Sequence, residues 1–131
     1  MTEREVLELP AREENALVAE KVMGGPEENP YWYWFRTTDD GLPAIKNTGL
    51  PPMFTGPDFT TTWDGLGRVV ERMQELGYLL DLRIGPKETT AKFFTVDQEC
   101  AMVVLSEFAR SHEDPKLAVI LAALDARGVI E

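Results

Sequence analysis

The stretch Trp63–Ile84, "WDGLGRVVERMQELGYLLDLRI", changes its period halfway along. Trp63, Leu66, Val70 and Met73 recur at helical spacing, and Val69 and Leu76 widen the apolar stripe. Gly77 stops the helix, because glycine takes the left-handed position after a helix end without a Cβ clash. From Tyr78 the period is two. Tyr78, Leu80, Leu82 and Ile84 share one face, and Leu79, Asp81 and Arg83 share the other. An amphipathic helix therefore runs straight into a half-buried strand, and helix and sheet belong to one unit.

Pro57 suits a first helical position and Asp58 places negative charge in a first turn, so this helix is expected to begin at Pro57. Gly65 and Gly67 each weaken it by up to about 1 kcal/mol relative to alanine. They mark either close backbone packing or tolerated slack.

Downstream, Gly85-Pro86 begins a turn and Ala91–Val96, "AKFFTV", returns as a hairpin partner. Val96–His112 admits two readings. As a helix, Cys100, Val103, Val104 and Phe108 share a face; as a strand, Ala101, Val103 and Leu105 alternate with Met102, Val104 and Phe108. The turn-like "VDQE" favours the strand. The last helix opens with Asp114 as N-cap and Pro115 at the first position. Its apolar stripe is Leu117, Ile120, Leu121 and Leu124; Arg127 suits the carboxyl end and Gly128 closes it.

Upstream, Arg12–Met23 reads as a helix with Glu13 and Glu14 in its first turn and Val18, Val22 and Leu17 inward. Gly24-Gly25-Pro26 ends it, and Pro10 separates it from a short turn. Five consecutive aromatic residues follow, Tyr31–Phe35, and they favour a strand ending at Arg36. Alternation sends Tyr31, Tyr33 and Phe35 to one side and Trp32 and Trp34 to the other. Large rings on both faces fit a strand covered above and below better than a stacking surface. Residues 37–56 form a long irregular loop rich in proline and glycine, the kind of segment that often carries function.

The expected order is α-β-α-β-β-β-α: an α+β fold, a three-layer α/β/α sandwich around a mostly antiparallel central sheet, in one domain of 131 residues. At this point the chain resembles the phage ABA sandwich domain family. "ALVAEKVMG" (Ala16–Gly24), "WDGLGRVVERMQELGY" (Trp63–Tyr78) and "LAVILAAL" (Leu117–Leu124) carry the resemblance, which spans residues 11–128 but not the loop 37–56. It implies a bacteriophage or prophage protein with an α/β/α layered fold, and it supplies no catalytic motif.

Charge and composition narrow the function. The net charge is −10. Residues 1–58 carry 5 basic and 11 acidic side chains, and residues 59–131 carry 8 and 12. Neither half can neutralise phosphates as nucleic-acid binding demands. The order from Pro57 onward matches double-stranded-RNA-binding domains, but that likeness is topological only. No apolar run approaches the roughly 18 residues of a membrane span, and the acidic amino terminus is unlike a signal peptide. A cytoplasmic protein of a bacterial host is expected.

Cys100 is expected as a buried small apolar residue, and the single histidine, His112, as a solvated linker residue. One cysteine and one histidine do not make a usual zinc site. Asp39-Asp40 and Glu27-Glu28 are adjacent loop carboxylates without calcium-loop spacing. No metal, cofactor or catalytic residue is expected. The expectation is a non-enzymatic protein that binds a host or phage protein, or a second copy of itself, through Trp34, Arg36, Trp63, Met53 and Phe54. The alternative is a pocket protein that sequesters a small aromatic or nucleotide-like ligand, which requires at least two of Trp32, Trp34 and Trp63 to be accessible.

Overall fold

A computed structural model of the chain describes residues 1–23, 59–100 and 103–131. The expected aromatic strand Tyr31–Arg36, the loop 37–56 and the site candidates Trp34, Arg36, Met53 and Phe54 lie outside the described residues, as do Pro57 and Asp58.

Asp114 starts the last helix. Its carboxylate accepts from the Lys116 amide at 3.0 Å, and Pro115 follows at the first helical position. The helix runs Pro115–Ala126 and is α4 in the order used here. Sequence spacing marks one stripe on it, but every residue from Ala118 to Leu124 is buried. A helix buried all round must be covered all round. Strands β2 (Thr89–Val96) and β3 (Val104–His112) lie against one side, and helices α2 (Ala11–Lys21) and α3 (Trp63–Glu75) against others. The alanines Ala118, Ala122 and Ala123 are the small residues that permit this cover at close range. Ile120, Leu121 and Leu124 each contribute about 1.5–3 kcal/mol by leaving water.

The sheet is antiparallel, in the order β1-β2-β3, with β1 at Leu79–Ile84. Its register pairs Leu80 with Phe93 and Phe93 with Phe108. These residues share the face under α4, where Tyr78 meets Phe93 and Phe108 edge-on, both at 6.4 Å between ring centroids. The opposite face carries Asp81, Arg83, Thr90, Lys92, Glu107 and Ser111, the polar side of an antiparallel sheet. Among the described residues the architecture is α+β, in the order α1 (Glu3–Leu7)-α2-α3-β1-β2-β3-α4.

Several expectations shift. Helix α3 begins at Trp63, not Pro57, because Thr62 is its N-cap and accepts from the Gly65 amide at 3.1 Å. The buried stripe of α3 is Leu66, Val69 and Met73, with Leu76 packed beside it; Trp63 and Val70 are marginal. Gly65 is buried, in keeping with close packing, whereas Gly67 is exposed. The strand reading of the Val96–His112 region holds from Val104 onward, after an irregularity at Thr95/Val96. The N-terminal turn is a short helix, α1 (Glu3–Leu7), with a capping box of Thr2 and Glu5. It inserts Val6 into the core.

The ends of the helices are tied to other elements. Arg72 Nε donates to the Val22 carbonyl and Arg127 Nε to the Lys21 carbonyl, both at 3.3 Å, so two cations meet the carboxyl end of α2. Arg110 on β3 donates to Asp125 on α4 at 3.0 Å and lies 3.9 Å from Glu3 of α1. The Met1 ammonium donates to the Val129 carbonyl at 3.0 Å, and the Glu131 amide to the Met1 carbonyl at 2.8 Å. The buried Asn15 side chain accepts from the Phe59 amide at 2.7 Å, which fixes α2 to the approach of α3.

Gly77 has φ 94°. Its amide donates to the Gln74 carbonyl and the Tyr78 amide to the Met73 carbonyl, both at 3.0 Å, the paired bonds of a Schellman end. Gly77→Ala therefore places a Cβ in the left-handed region and is expected to lower stability by about 1–2 kcal/mol. Nothing lies within 4 Å of where a Cβ on Gly67 would stand. Gly67→Ala is expected to raise stability by up to about 1 kcal/mol. Urea midpoints at unchanged slope measure both; a Gly67→Ala variant less stable than the parent contradicts the α3 packing described.

Candidate functional site

Helix α3 leans over β1 without covering its far end. Leu80 packs against the core, but Leu82 is 37% exposed and Ile84 62%. Between helix and strand lies a groove of about 460 Å³, lined by Trp63, Leu66, Val70, Leu80, Leu82 and Val119, with Glu71 and Gln74 on the helix side. The absent side chain at Gly67 leaves its wall low.

Trp63 stands at the mouth of this groove, 56% exposed. As the residue after the N-cap it lies on the first turn of α3, where the core does not reach it. The Lys116 ammonium lies 4.8 Å from its ring centroid, a cation–π contact that ties the start of α3 to the start of α4. Lys116 also pairs with Asp114 at 3.3 Å. An apolar floor, an exposed indole and a polar margin are features that protein-recognition patches share.

The outer face of the sheet holds a second, smaller depression of about 270 Å³, lined by Asp81, Arg83, Thr90, Lys92 and Ala109. Its charges are paired: Arg83 lies 3.5 Å from Asp81, and Lys92 lies 4.0 Å from Glu107. The Thr90 and Ser111 hydroxyls hydrogen-bond each other at 2.8 Å. Paired exposed charges of this kind contribute little individually to stability. Leu79 and Phe94 continue this face at one end.

Of the sequence-derived candidates, only Trp63 falls on described residues. Two other residues stand differently from expectation. Cys100 is exposed, not buried. Asp97 accepts from the Glu99 amide at 2.8 Å and the Cys100 amide at 3.4 Å, and this turn carries the thiol out on the β2–β3 connection. His112 ends β3, and its Nδ1 accepts from the Asp114 amide at 2.9 Å, so it shapes the lead-in to α4. Among the described residues no group of three or more His, Cys, Asp or Glu side chains is arranged to hold a metal ion. No helix among them is long and apolar enough to cross a membrane.

The groove escapes a reading by periodicity. Helical spacing counts Trp63 and Val70 as core, and alternation counts Leu82 and Ile84 as core. Only the position of α3 relative to the strand end reveals that these four lie at the margin. Comparison with family models, with curated proteins and with solved structures found no match for this chain.

Proposed function

We propose that this chain works by binding another protein, and that the groove between α3 and β1 is the surface it uses. The supporting observation is the exposed, lysine-capped Trp63 beside an apolar floor that includes Leu80 and Leu82. Tryptophan is among the side chains most enriched where a few residues carry most of the binding energy of a protein interface. The net charge of −10 favours a basic partner surface through long-range attraction. On this reading the protein is non-enzymatic and cytoplasmic, and the resemblance to phage ABA sandwich proteins makes the partner a bacterial host or phage protein. The three-layer α/β/α arrangement belongs to the same proposal.

A second reading keeps the groove and changes the occupant. Its volume of about 460 Å³ falls in the size range of small-molecule pockets, roughly 300–1,000 Å³. A small aromatic or nucleotide-like ligand stacked on Trp63 is the alternative.

One experiment addresses both. The parent protein and a Trp63→Ala/Leu82→Asn variant of matched thermal stability are used to capture partners from host lysate. The parent is also screened by thermal shift against nucleotides. The binding reading expects a specific captured protein that the variant loses. Capture of nothing above background, or capture indifferent to the variant, contradicts it. A ligand at a hundred times its dissociation constant stabilises by about 2.7 kcal/mol, and such a shift that Trp63→Ala abolishes moves the assignment to the small-molecule reading.

A further inference from the structure

Strand β1 is bonded to β2 along one edge only; among the described residues no strand pairs with its other edge. Natural sheets blunt such edges with a lysine, a proline or a run of like charge, so that a second copy is repelled. The charges on β1 are of mixed sign, so a second copy can complement them in the right register. Asp81 and Arg83 are two residues apart, on the same face and of opposite sign, and their side chains lie 3.5 Å apart. The apolar residues of the other face, Leu82 and Ile84, are exposed.

We propose that β1 pairs with β1 of a second copy, antiparallel and centred on Leu82, joining two three-stranded sheets into one of six strands. In that register Asp81 stands opposite Arg83 of the second copy, and Arg83 opposite its Asp81. Leu82 faces Leu82, and Leu80 faces Ile84. A two-fold axis through Leu82, perpendicular to the sheet, puts the apolar face of both copies on the same side. Both pairs across the polar face are then of opposite charge, the favourable arrangement for directly opposed residues in an antiparallel ladder.

Neighbouring registers fail. Centring on Asp81 opposes Asp81 to itself, and centring on Arg83 opposes Arg83 to itself. Centring between residues puts each apolar side chain on the polar face of the other copy, because the side-chain period is two. Among these registers only the one centred on Leu82 satisfies charge and hydrophobicity together. It also brings Ile84, 62% exposed, next to Leu80 of the second copy on the groove side of the sheet. The rest of the molecule resists self-association, since each copy carries a charge of −10, so the contact depends on this local match. The inference rests on the binding reading and names a second copy as a partner.

Sedimentation velocity of the full chain across a wide concentration range tests it, on the parent and three variants. The parent is expected to show a monomer–dimer equilibrium. Asp81→Arg alone and Arg83→Asp alone each oppose like charges and are expected to weaken it by about tenfold or more. The double exchange, Asp81→Arg with Arg83→Asp, swaps the partners within each pair and is expected to restore it. These positions are on the polar sheet face, and circular dichroism confirms that each variant is folded. Hydrogen exchange of the β1 amides that do not bond to β2 is expected to slow as concentration rises. A parent that stays monomeric at every concentration overturns the inference. So do single variants that dimerise like the parent, or a double variant no better than either single. Slow exchange of those amides in a monomer also overturns it, because something else then covers the edge. Lysate capture repeated with the Asp81→Arg and Arg83→Asp single variants decides the broader binding reading independently, because they retain Trp63 and Leu82: a partner they still capture supports binding whether or not the dimer forms.

Discussion

The fold depends on one constraint: α4 has no polar side to turn to water. From Ala118 to Leu124 each residue is buried, so the helix is a central rod that other elements must surround. Sheet, α2 and α3 each bury an apolar face against it, and the core is continuous because they share this one neighbour. The elements around it are amphipathic and short. α3 has thirteen residues and β1 six, too little to hold shape without tertiary cover.

Polar links then lock the cover in place at its ends. Arg72 and Arg127 converge on the last carbonyls of α2, Asn15 reaches across to Phe59, and Tyr78 donates to the Ala126 carbonyl at 3.3 Å. Arg110 sits on the core face of the sheet because Asp125 at the end of α4 meets it there. The buried and part-buried contacts among these satisfy groups that burial would otherwise leave costly, where an apolar layer stops. The groove is the complementary case. At Leu82 and Ile84 the sheet outruns the helices, and apolar side chains remain exposed where neither cover nor polar substitution occurs.

Much of this was legible in residue pattern, for definite reasons. Asp114-Pro115 and Gly77 act through local backbone geometry, and the structure places helix ends there. The alternation in Tyr78–Ile84 names its two faces correctly because strand geometry alone sets them. What pattern missed is relational. It read α4 as one stripe, since Ala118, Ala122 and Ala123 are too small to register as core until neighbours close on them. It started α3 at Pro57 because proline and aspartate are good signals, but the Thr62 hydroxyl supplies the cap. It buried Cys100 because the surrounding run is apolar, whereas the Asp97 turn carries the residue outward. Of the binding candidates, Trp63 stands at the groove, while the others fall beyond the described residues.

A central rod with a cover of unequal extent leaves Leu82 and Ile84 bare on one flank, and the proposed binding reading rests on that flank. Native-state hydrogen exchange of the Ile120–Leu124 amides tests the rod most directly. If α4 is the shared core, these amides exchange only through global unfolding, with a free energy equal to that from denaturant unfolding and at least as high as any in the sheet. Exchange of these amides through a local opening, well below the global value while β2 stays protected, would contradict the account.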